Sequence, residues 1–372
     1  MNEPLPNIFD LDRDALQAAL KEMGHPAFRA KQIWRQLYVN RADSFDSMTD
    51  LSKGMRADLA ERFRFGALTL NIMQSGDGGI TRKALFDVGE GITIETVLMV
   101  YPGRATVCVS SQAGCPMGCT FCATGKLGHL KDLTAGEMAE QVLWASRELD
   151  VARAGLDPSL TGRHKVNHDN FPKHITNVVY MGMGEPFNNY DEWYGSVERL
   201  HDPEGFNLGA RSFTVSTVGL TPGIDRLADE ALPINLAISL HAADDAVRGA
   251  MMPVNRKYPI SELLQSVKAY TDKTNRRVSF EYVLIEGNND TPEEAELLVE
   301  RLMGEDAPRI MHVNLIPWNP ISGTEMRRSA RGRIDAFRDR LVAAGISATV
   351  RIHRGLDIDA ACGQLAGSAG SE

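Results

Sequence analysis

Cys108-Val-Ser-Ser-Gln-Ala-Gly-Cys115-Pro-Met-Gly-Cys119-Thr-Phe-Cys122-Ala-Thr-Gly125 holds four of the chain's five cysteines. Cys115, Cys119 and Cys122 are spaced C-x3-C-x2-C, which brings three thiolates into one small loop. Thiolates are soft ligands that select iron–sulfur clusters, Zn or Cu(I). An ordinary cluster takes four cysteines. A loop that supplies three leaves one iron open, and an open position marks a catalytic rather than a closed metal site. A structural zinc site completed by Cys108 or His129 is the competing reading of the same residues. Zinc patterns legible in sequence usually pair two well-separated ligand couples, a form this stretch does not follow.

The spacing resembles that of the radical S-adenosylmethionine (SAM) superfamily. The resemblance implies a [4Fe-4S] cluster whose open iron chelates the amino and carboxylate groups of SAM and then passes it an electron.

Downstream of Arg104, strand-like and helix-like runs alternate. The strands are expected at Ala105–Ser110, Ile175–Met181, Ser212–Ser216, Ile234–Leu240, Val278–Ile285 and His312–Pro317. Helices are expected between them at Ala135–Arg153, Tyr190–Leu200, Ile224–Ala231, Ile260–Lys273 and Pro292–Met303, followed by Arg333–Ala344 and a strand at Ala348–Ile352. Six β/α repeats predict a parallel sheet with helices on one face. Six are too few to close an eight-fold barrel, so the expected fold is α/β, a partial (β/α)6 TIM-like barrel. Active sites in such folds lie at the C-terminal ends of the strands. The cysteine loop, Gly182-Met-Gly184-Glu185-Pro186, Ser216-Thr217, Ser239-Leu240-His241 and Trp318-Asn319 all fall there.

Upstream, residues 1–66 read as a small helical accessory domain with helices near Asp12–Met23, after His25-Pro26, and at Leu51–Phe63. Residues 67–100 read as a β-rich connector, a small antiparallel sheet with glycine-rich turns at 76–79 and 89–91. Glu95 stands in one of its apolar strands and is expected to face a functional cavity or an edge. The core is expected over 101–352, and a C-terminal segment over 353–372 carries Cys362. The polar stretch Ala154–Lys173 reads as a long mobile surface loop, and the Gly/Ser/Ala-rich tail after Leu365 as disordered.

Hydrophobic residues make up 43% of the chain and charged residues 24%, ordinary for a soluble globular protein. No apolar run approaches the ~18 residues of a membrane span, and the first residues lack a secretory pattern. Five cysteines without a framework of repeated spacings point to a reducing, cytoplasmic setting. The net charge of −9 argues against non-specific nucleic-acid binding. An RNA partner would need a local basic patch, and two stretches offer one. The first is Met23–Ala42, with Arg29, Lys31, Arg35 and Arg41. The second is Met326–Arg340, with Arg327, Arg328, Arg331, Arg333, Arg338 and Arg340. A solvated helix face accounts for either patch equally well.

Taken together, Glu95, Cys108, the cysteine triplet, Gly-Met-Gly-Glu-Pro, Ser216, Ser-Leu-His, Asn319 and Cys362 resemble the RlmN-type adenine-C2 RNA methyltransferases over nearly the whole chain. These are radical SAM enzymes acting on 23S rRNA and, in some members, tRNA. The resemblance implies that Cys115, Cys119 and Cys122 hold the cluster. It implies SAM contacts from Gly184, Glu185, Ser216, Ser239, Leu240, His241 and Asn319, with two SAM used per turnover. Cys362 would carry the methyl group as S-methylcysteine, Cys108 would resolve it through a Cys108–Cys362 disulfide, and Glu95 would accept a proton. A flavodoxin or ferredoxin system would supply electrons, and no membrane is involved. Three readings compete: adenine-C8 methylation by the same chemistry, another radical SAM reaction such as glycyl-radical activation, and a non-catalytic zinc-containing RNA-binding protein.

Overall fold

The computed structural model describes residues 5–161, 164–351 and 354–366. Three helices open the chain: α1 (Arg13–Glu22), α2 (Arg29–Tyr38) and α3 (Lys53–Arg62). Asp12 and Ser52 cap α1 and α3 by accepting the amides of Ala15 and Met55, which satisfies donors a helix start leaves unpaired.

Strands β1 (Thr69–Gly76), β2 (Thr81–Asp87) and β3 (Thr93–Tyr101) follow as an antiparallel ladder. This ladder is not a separate sheet. Strand β3 pairs antiparallel with β4 (Arg104–Cys108), so the ladder runs on into the main sheet. After β4 come β5 (Gln112–Cys115), α4 (Ala123–Lys126), β6 (Gly128–Asp132), α5 (Ala135–Ala154) and α6 (Pro158–Thr161). The alternation then proceeds through β7 (Asn177–Tyr180), α7 (Tyr190–His201), β8 (Phe213–Thr217), α8 (Thr221–Leu227) and β9 (Asn235–Ser239). It ends with α9 (Asp245–Met251), α10 (Ile260–Thr274), β10 (Val278–Leu284), α11 (Pro292–Met303), β11 (Met311–Pro317), α12 (Arg331–Ala343) and β12 (Ala348–Val350).

The strands form one ten-stranded sheet in the order β1-β2-β3-β4-β7-β8-β9-β10-β11-β12, and β5 with β6 form a separate hairpin. From β4 onward every pairing in the large sheet is parallel and joins strands in chain order. No pairing joins β12 to β1 among the described residues, so the barrel is partial. The three-residue β12 adds a parallel strand to the six repeats; Ile352, expected in it, lies outside the described residues.

Side chains alternate faces along each strand. Thr96 on β3 donates from Oγ1 to Gln141 of α5, so even-numbered residues of β3 face the helical layer. Odd-numbered Glu95 and Val97 therefore face the barrel interior. Register carries that face across the sheet, placing Lys83, Val97, Cys108 and Val179 in one row.

One apolar core runs from Ile8 to Leu365. Glu140 of α5 ties the N-terminal segment to the barrel, accepting from Asn7 Nδ2 at 2.7 Å and from the Ala67 amide. The stretch 154–173, expected as a long surface loop, is mostly exposed among its described residues but anchored at several points. It contains α6, buries Leu156, Val166 and Phe171, and accepts the Gly103 amide at Asn170 O. The tail from 367 onward lies outside the described residues.

Candidate active site at the C-terminal ends of the strands

The cysteine loop is the turn of the β5–β6 hairpin. Gly114 has φ +69°, and a Cβ there would sit 1.9 Å from Gly128 O, so only glycine lets the two strands meet at that point. The loop is fastened on both sides. Thr120 N donates to Met251 O (3.0 Å), Ala123 N to Gly363 O (2.9 Å), and Trp318 Nε1 to Phe121 O (3.2 Å). Cys119, Phe121, Met251, Met252, Val283, Ile285 and Trp318 form a second apolar cluster around it.

Burial pushes the Cys115 thiol up to about 12 and lifts those of Cys119 and Cys122; Cys119 is raised again by Cys122 and Cys115. Three neighbouring thiols in an apolar setting resist ionisation unless a cationic metal centre stands among them, and metal binding deprotonates them outright. The donor set therefore fits an iron–sulfur cluster. It does not fit the lone-zinc alternative. Among the described residues no three Cys, His, Asp or Glu side chains converge to hold a single ion. His129 is instead engaged with Asp132 at 2.9 Å.

The Gly182–Pro186 loop presses against the start of the cysteine stretch. Gly184 has φ +101°, and a Cβ on it would meet Gln112 Cβ at 2.6 Å. Glu185 N donates to Gln112 Oε1 at 2.8 Å. The Glu185 carboxylate is buried and braces two loops, accepting Phe187 N at 3.0 Å and Val218 N at 2.8 Å. Burial lifts its pKa to about 7 against those hydrogen bonds.

The Ser216 and Ser239 hydroxyls lie 3.3 Å apart on adjacent strands. His241 adopts φ +61°, and its Nδ1 accepts the Val283 amide at 3.1 Å. Burial, reinforced by Arg248, drops its pKa to about 3. The neutral ring with Nδ1 occupied as acceptor leaves its proton on Nε2, a fixed donor at the cavity wall.

Phe121, Cys122, Gly184, Glu185, Ser216, Ser239, His241, Asn319 and Cys362 line one cavity of about 150 Å³. Cys108, Cys115 and Cys119 lie outside that lining, as do Leu240 and Glu95. The Leu240 side chain is buried in the core, and only its backbone lies near the site, its carbonyl accepting from Arg248 Nε at 2.9 Å. Glu95 is 1% exposed and faces neither the cavity nor an edge. It pairs with Lys83 Nζ at 3.0 Å beneath the C-terminal segment. The Asn319 amide is engaged too, donating to Cys362 O at 3.0 Å and accepting from Arg328 Nη2 at 2.9 Å.

Cys362 is exposed and Cys108 buried, and both are free thiols. Burial and then the neighbouring Cys362 raise the Cys108 thiol to about 12. Arg351 shares the cavity with Cys362, whose sulfur lifts the guanidinium above its ordinary value. Glu281 steadies Arg351 at 3.4 Å and is itself held by Asn314 Nδ2 at 2.8 Å.

Sequence reasoning missed Lys83, Glu281 and Arg351. A charged residue in an apolar strand was the available signal at Lys83 and Glu281, the same signal that singled out Glu95. It also missed Arg248, a fully buried strut donating to Leu240 O, Val218 O and Asn255 Oδ1.

The basic stretches are largely neutralised. Lys31 pairs with Glu204 and Arg41 with Asp150, which leaves Arg35 exposed on α2. In the second stretch Arg331, Arg333, Arg338 and Arg340 meet Asp335, Asp290, Asp339 and Glu296, and Arg328 is bound to Trp318 O and Asn319.

A partial barrel with three cysteines in a loop at its C-terminal rim, beside a cavity where Glu185, Ser216, Ser239, His241 and Asn319 converge, defines the radical SAM class. A solved radical SAM methyltransferase from Sphaerobacter thermophilus superposes with TM-score 0.89 and 46% identity over 98% of this chain and 100% of that one. Residues 168–300 match the radical SAM superfamily profile, and residues 6–64 match the ribosomal RNA large subunit methyltransferase N-terminal domain. Among curated relatives, the probable dual-specificity RNA methyltransferase RlmN of Chloroflexus aurantiacus is 55% identical, covering 97% of this chain and 92% of its own. The dual-specificity RNA methyltransferase RlmN 1 of Myxococcus xanthus is 43% identical, covering 96% and 94%. The chain belongs to the RlmN family of radical SAM methyltransferases, and with that family come a [4Fe-4S] cluster and SAM.

Proposed function

We propose that the protein methylates C2 of an adenine in 23S rRNA, and in tRNA, through S-methylcysteine at Cys362. The observation that carries this reading is the placement of two cysteines outside the cluster loop. Cys362 lines the cavity together with Cys122, and Cys108, in the interior-facing row of the sheet, is within electrostatic reach of it. A direct polar methyl transfer fails at a ring carbon flanked by two nitrogens, whereas a cysteine sulfur is a good nucleophile.

Cys362 Sγ takes the methyl group of one SAM: a sulfur–carbon bond forms, the sulfonium carbon–sulfur bond breaks, and the thiol proton leaves. The cluster and a second SAM supply the radical that activates this methyl group for addition to the adenine. His241 Nε2–H, Ser216 and Ser239 offer hydrogen-bonding groups at the cavity wall, and Glu185 and Gly184 shape it. Glu95, which lies beneath the Cys362 segment and outside the cavity while that segment is docked, takes the proton lost from C2 once the segment shifts. Cys108 then attacks Cys362 sulfur: the disulfide forms, the sulfur–carbon bond breaks, the released methylene carbon takes up the Cys108 proton to become the methyl group, and the one surplus electron left by radical addition would return to the cluster.

The target base must be unpaired or flipped out to reach so enclosed a cavity. Its phosphates would meet the exposed side of the N-terminal helices at Arg29 and Arg35, where neutralisation is least complete. A flavodoxin- or ferredoxin-type donor supplies electrons in the cytoplasm. No helix among the described residues is long and apolar enough to cross a membrane.

The test is anaerobic reconstitution with SAM, followed by mass spectrometry of the peptide bearing Cys362. A one-methyl mass increment on Cys362 is expected, and its absence under conditions that cleave SAM would defeat the proposal. Mapping the product adenosine separates C2 from C8. Charge reversal at Arg29, Lys31 and Arg35 should lower RNA affinity and flatten its salt dependence; an unchanged salt slope would remove the helices from RNA contact.

A further inference from the structure

The buried pair Lys83–Glu95 reaches the C-terminal segment on both sides of Cys362. Lys83 lies in mid-β2, 4% exposed, and Glu95 is 1% exposed on β3. Both face the barrel interior, in the sheet region that carries Cys108. Lys83 Nζ meets Glu95 Oε1 at 3.0 Å and also donates to Asp359 O at 3.3 Å. The other carboxylate oxygen, Oε2, accepts the Ala366 amide at 3.1 Å. Asp359 is three residues before Cys362 and Ala366 is four after it.

A lone buried charge is costly, and a strand does not bury a lysine and a glutamate without a use for both. Here each member of the pair neutralises the other and has capacity left for one backbone group of the same crossing segment. Asn319, Ala123 and Thr124 donate to the middle of that segment from the opposite wall, and Gln364 of the segment donates to Pro320 O there. These bonds span Cys362 O to Leu365 O, so they fix its height over the cavity. The pair fixes the two ends.

We propose that Lys83 is a positioning residue which, with Glu95, clamps residues 359–366 at two points and so holds the Cys362 sulfur at the cavity mouth. The inference rests on the proposed role of Cys362, but the clamp itself stands on geometry. It also constrains Glu95. The carboxylate assigned to proton transfer is the one that holds the Ala366 amide, so a proton placed on Oε2 would compete with that bond and loosen the segment as the reaction reaches Cys108.

The experiment is hydrogen–deuterium exchange of the reconstituted full-length protein without RNA, alongside the rate at which limiting iodoacetamide alkylates Cys362. Lys83→Met and Glu95→Gln should each speed exchange over 359–366 by about tenfold and raise Cys362 alkylation. The double variant should add little to either single one, because the two side chains act as a unit. Ala366→Pro removes one amide donor and leaves the ion pair intact. It should reproduce the effect even if Lys83→Met proves too unstable to purify. Native exchange and alkylation in both Lys83→Met and Ala366→Pro would overturn the clamp.

In turnover, Lys83→Met should lower kcat for RNA methylation with the KM for RNA unchanged, and Lys83→Arg should restore part of it; a matched loss in KM would also overturn the positioning role. Exchange and alkylation need no RNA and no product. Failure of the clamp is therefore distinguishable from failure of the C2 assignment, which only product mapping decides.

Discussion

The cysteine loop and the C-terminal segment deliver sulfur to the same cavity by opposite means. The loop is local: three cysteines within eight residues, held by a hairpin whose strands flank them directly. The segment is distributed: Cys362 is placed by Lys83, Glu95, Ala123, Thr124 and Asn319, drawn from four distant parts of the chain. A site that must bind a preformed inorganic body needs a rigid, closely spaced donor set. A sulfur that must accept a carbon, present it and then meet a second sulfur needs a tether that is held yet able to shift. The difference in construction follows the difference in task.

Cys119→Ser probes the local half and carries the largest expected effect. With only two thiolates left in the loop, the reconstituted protein should lose cluster absorbance and all SAM cleavage. Retained cluster content would mean that Cys108 or Cys362 can substitute as ligand, and the two regions would not be separable. Cys362→Ala probes the distributed half. RNA methylation should vanish while the cluster forms and SAM is still reductively cleaved, because nothing that binds either one is removed. Full methylation by this variant would break the comparison at its centre.

The third prediction concerns the carboxylate that backs the cysteine loop. Burial raises Glu185 from 4.5 to about 7, so its contribution to stability is full below pH 4.5 and is lost as pH rises through 7. Over that window the native SAM-free protein should lose up to about 3 kcal/mol through this group. Glu140, raised to about 7 by its own burial, loses stability over the same window. Glu185→Gln should therefore flatten, not abolish, the fall in Tm between pH 5 and pH 8. An unaltered slope would show that Glu185 is ionised throughout and that its two backbone donors outweigh its burial.

How much of this was legible in the sequence tracks the same division. The β/α alternation was, because each buried parallel strand is a short apolar run and each helix a longer periodic one; Ile260–Lys273 and Pro292–Met303 are seen at nearly those bounds. The hairpin around the cluster was not. Its strands, Gln112–Cys115 and Gly128–Asp132, are short and rich in glycine and polar residues, and their pairing is fixed by glycine geometry rather than by apolar alternation. At the site, Cys122, Glu185, Ser216, Ser239, His241 and Asn319, each singled out by a motif, share one cavity. Leu240 brings only its backbone near them, because its side chain turns into the core. Glu95 was visible as a charge in an apolar strand, but its pairing with Lys83 was not, because only register brings residues of the two neighbouring strands together. The basic stretches were legible as charge but not as ion pairs, because linear charge counts ignore partners such as Glu204 and Glu296, far away in sequence.

Asn319 offers the smallest and most pointed test. Two residues past the end of β11, its amide donates to Cys362 O and its oxygen holds Arg328. Asn319→Ala removes a single neutral hydrogen bond to the Cys362 segment, worth about 1 kcal/mol. Because several other contacts hold that segment, it should remain docked. If Asn319 also contacts SAM, the variant should raise the KM for SAM and slow methylation about tenfold, a change of ~1.4 kcal/mol. If it serves only the segment, KM should stay put while Cys362 alkylation quickens. The split between those readouts decides whether this residue belongs to the cofactor's half of the cavity or to the moving half, and Asn319→Ser, which keeps a shorter polar group, should fall between native and alanine on whichever scale responds.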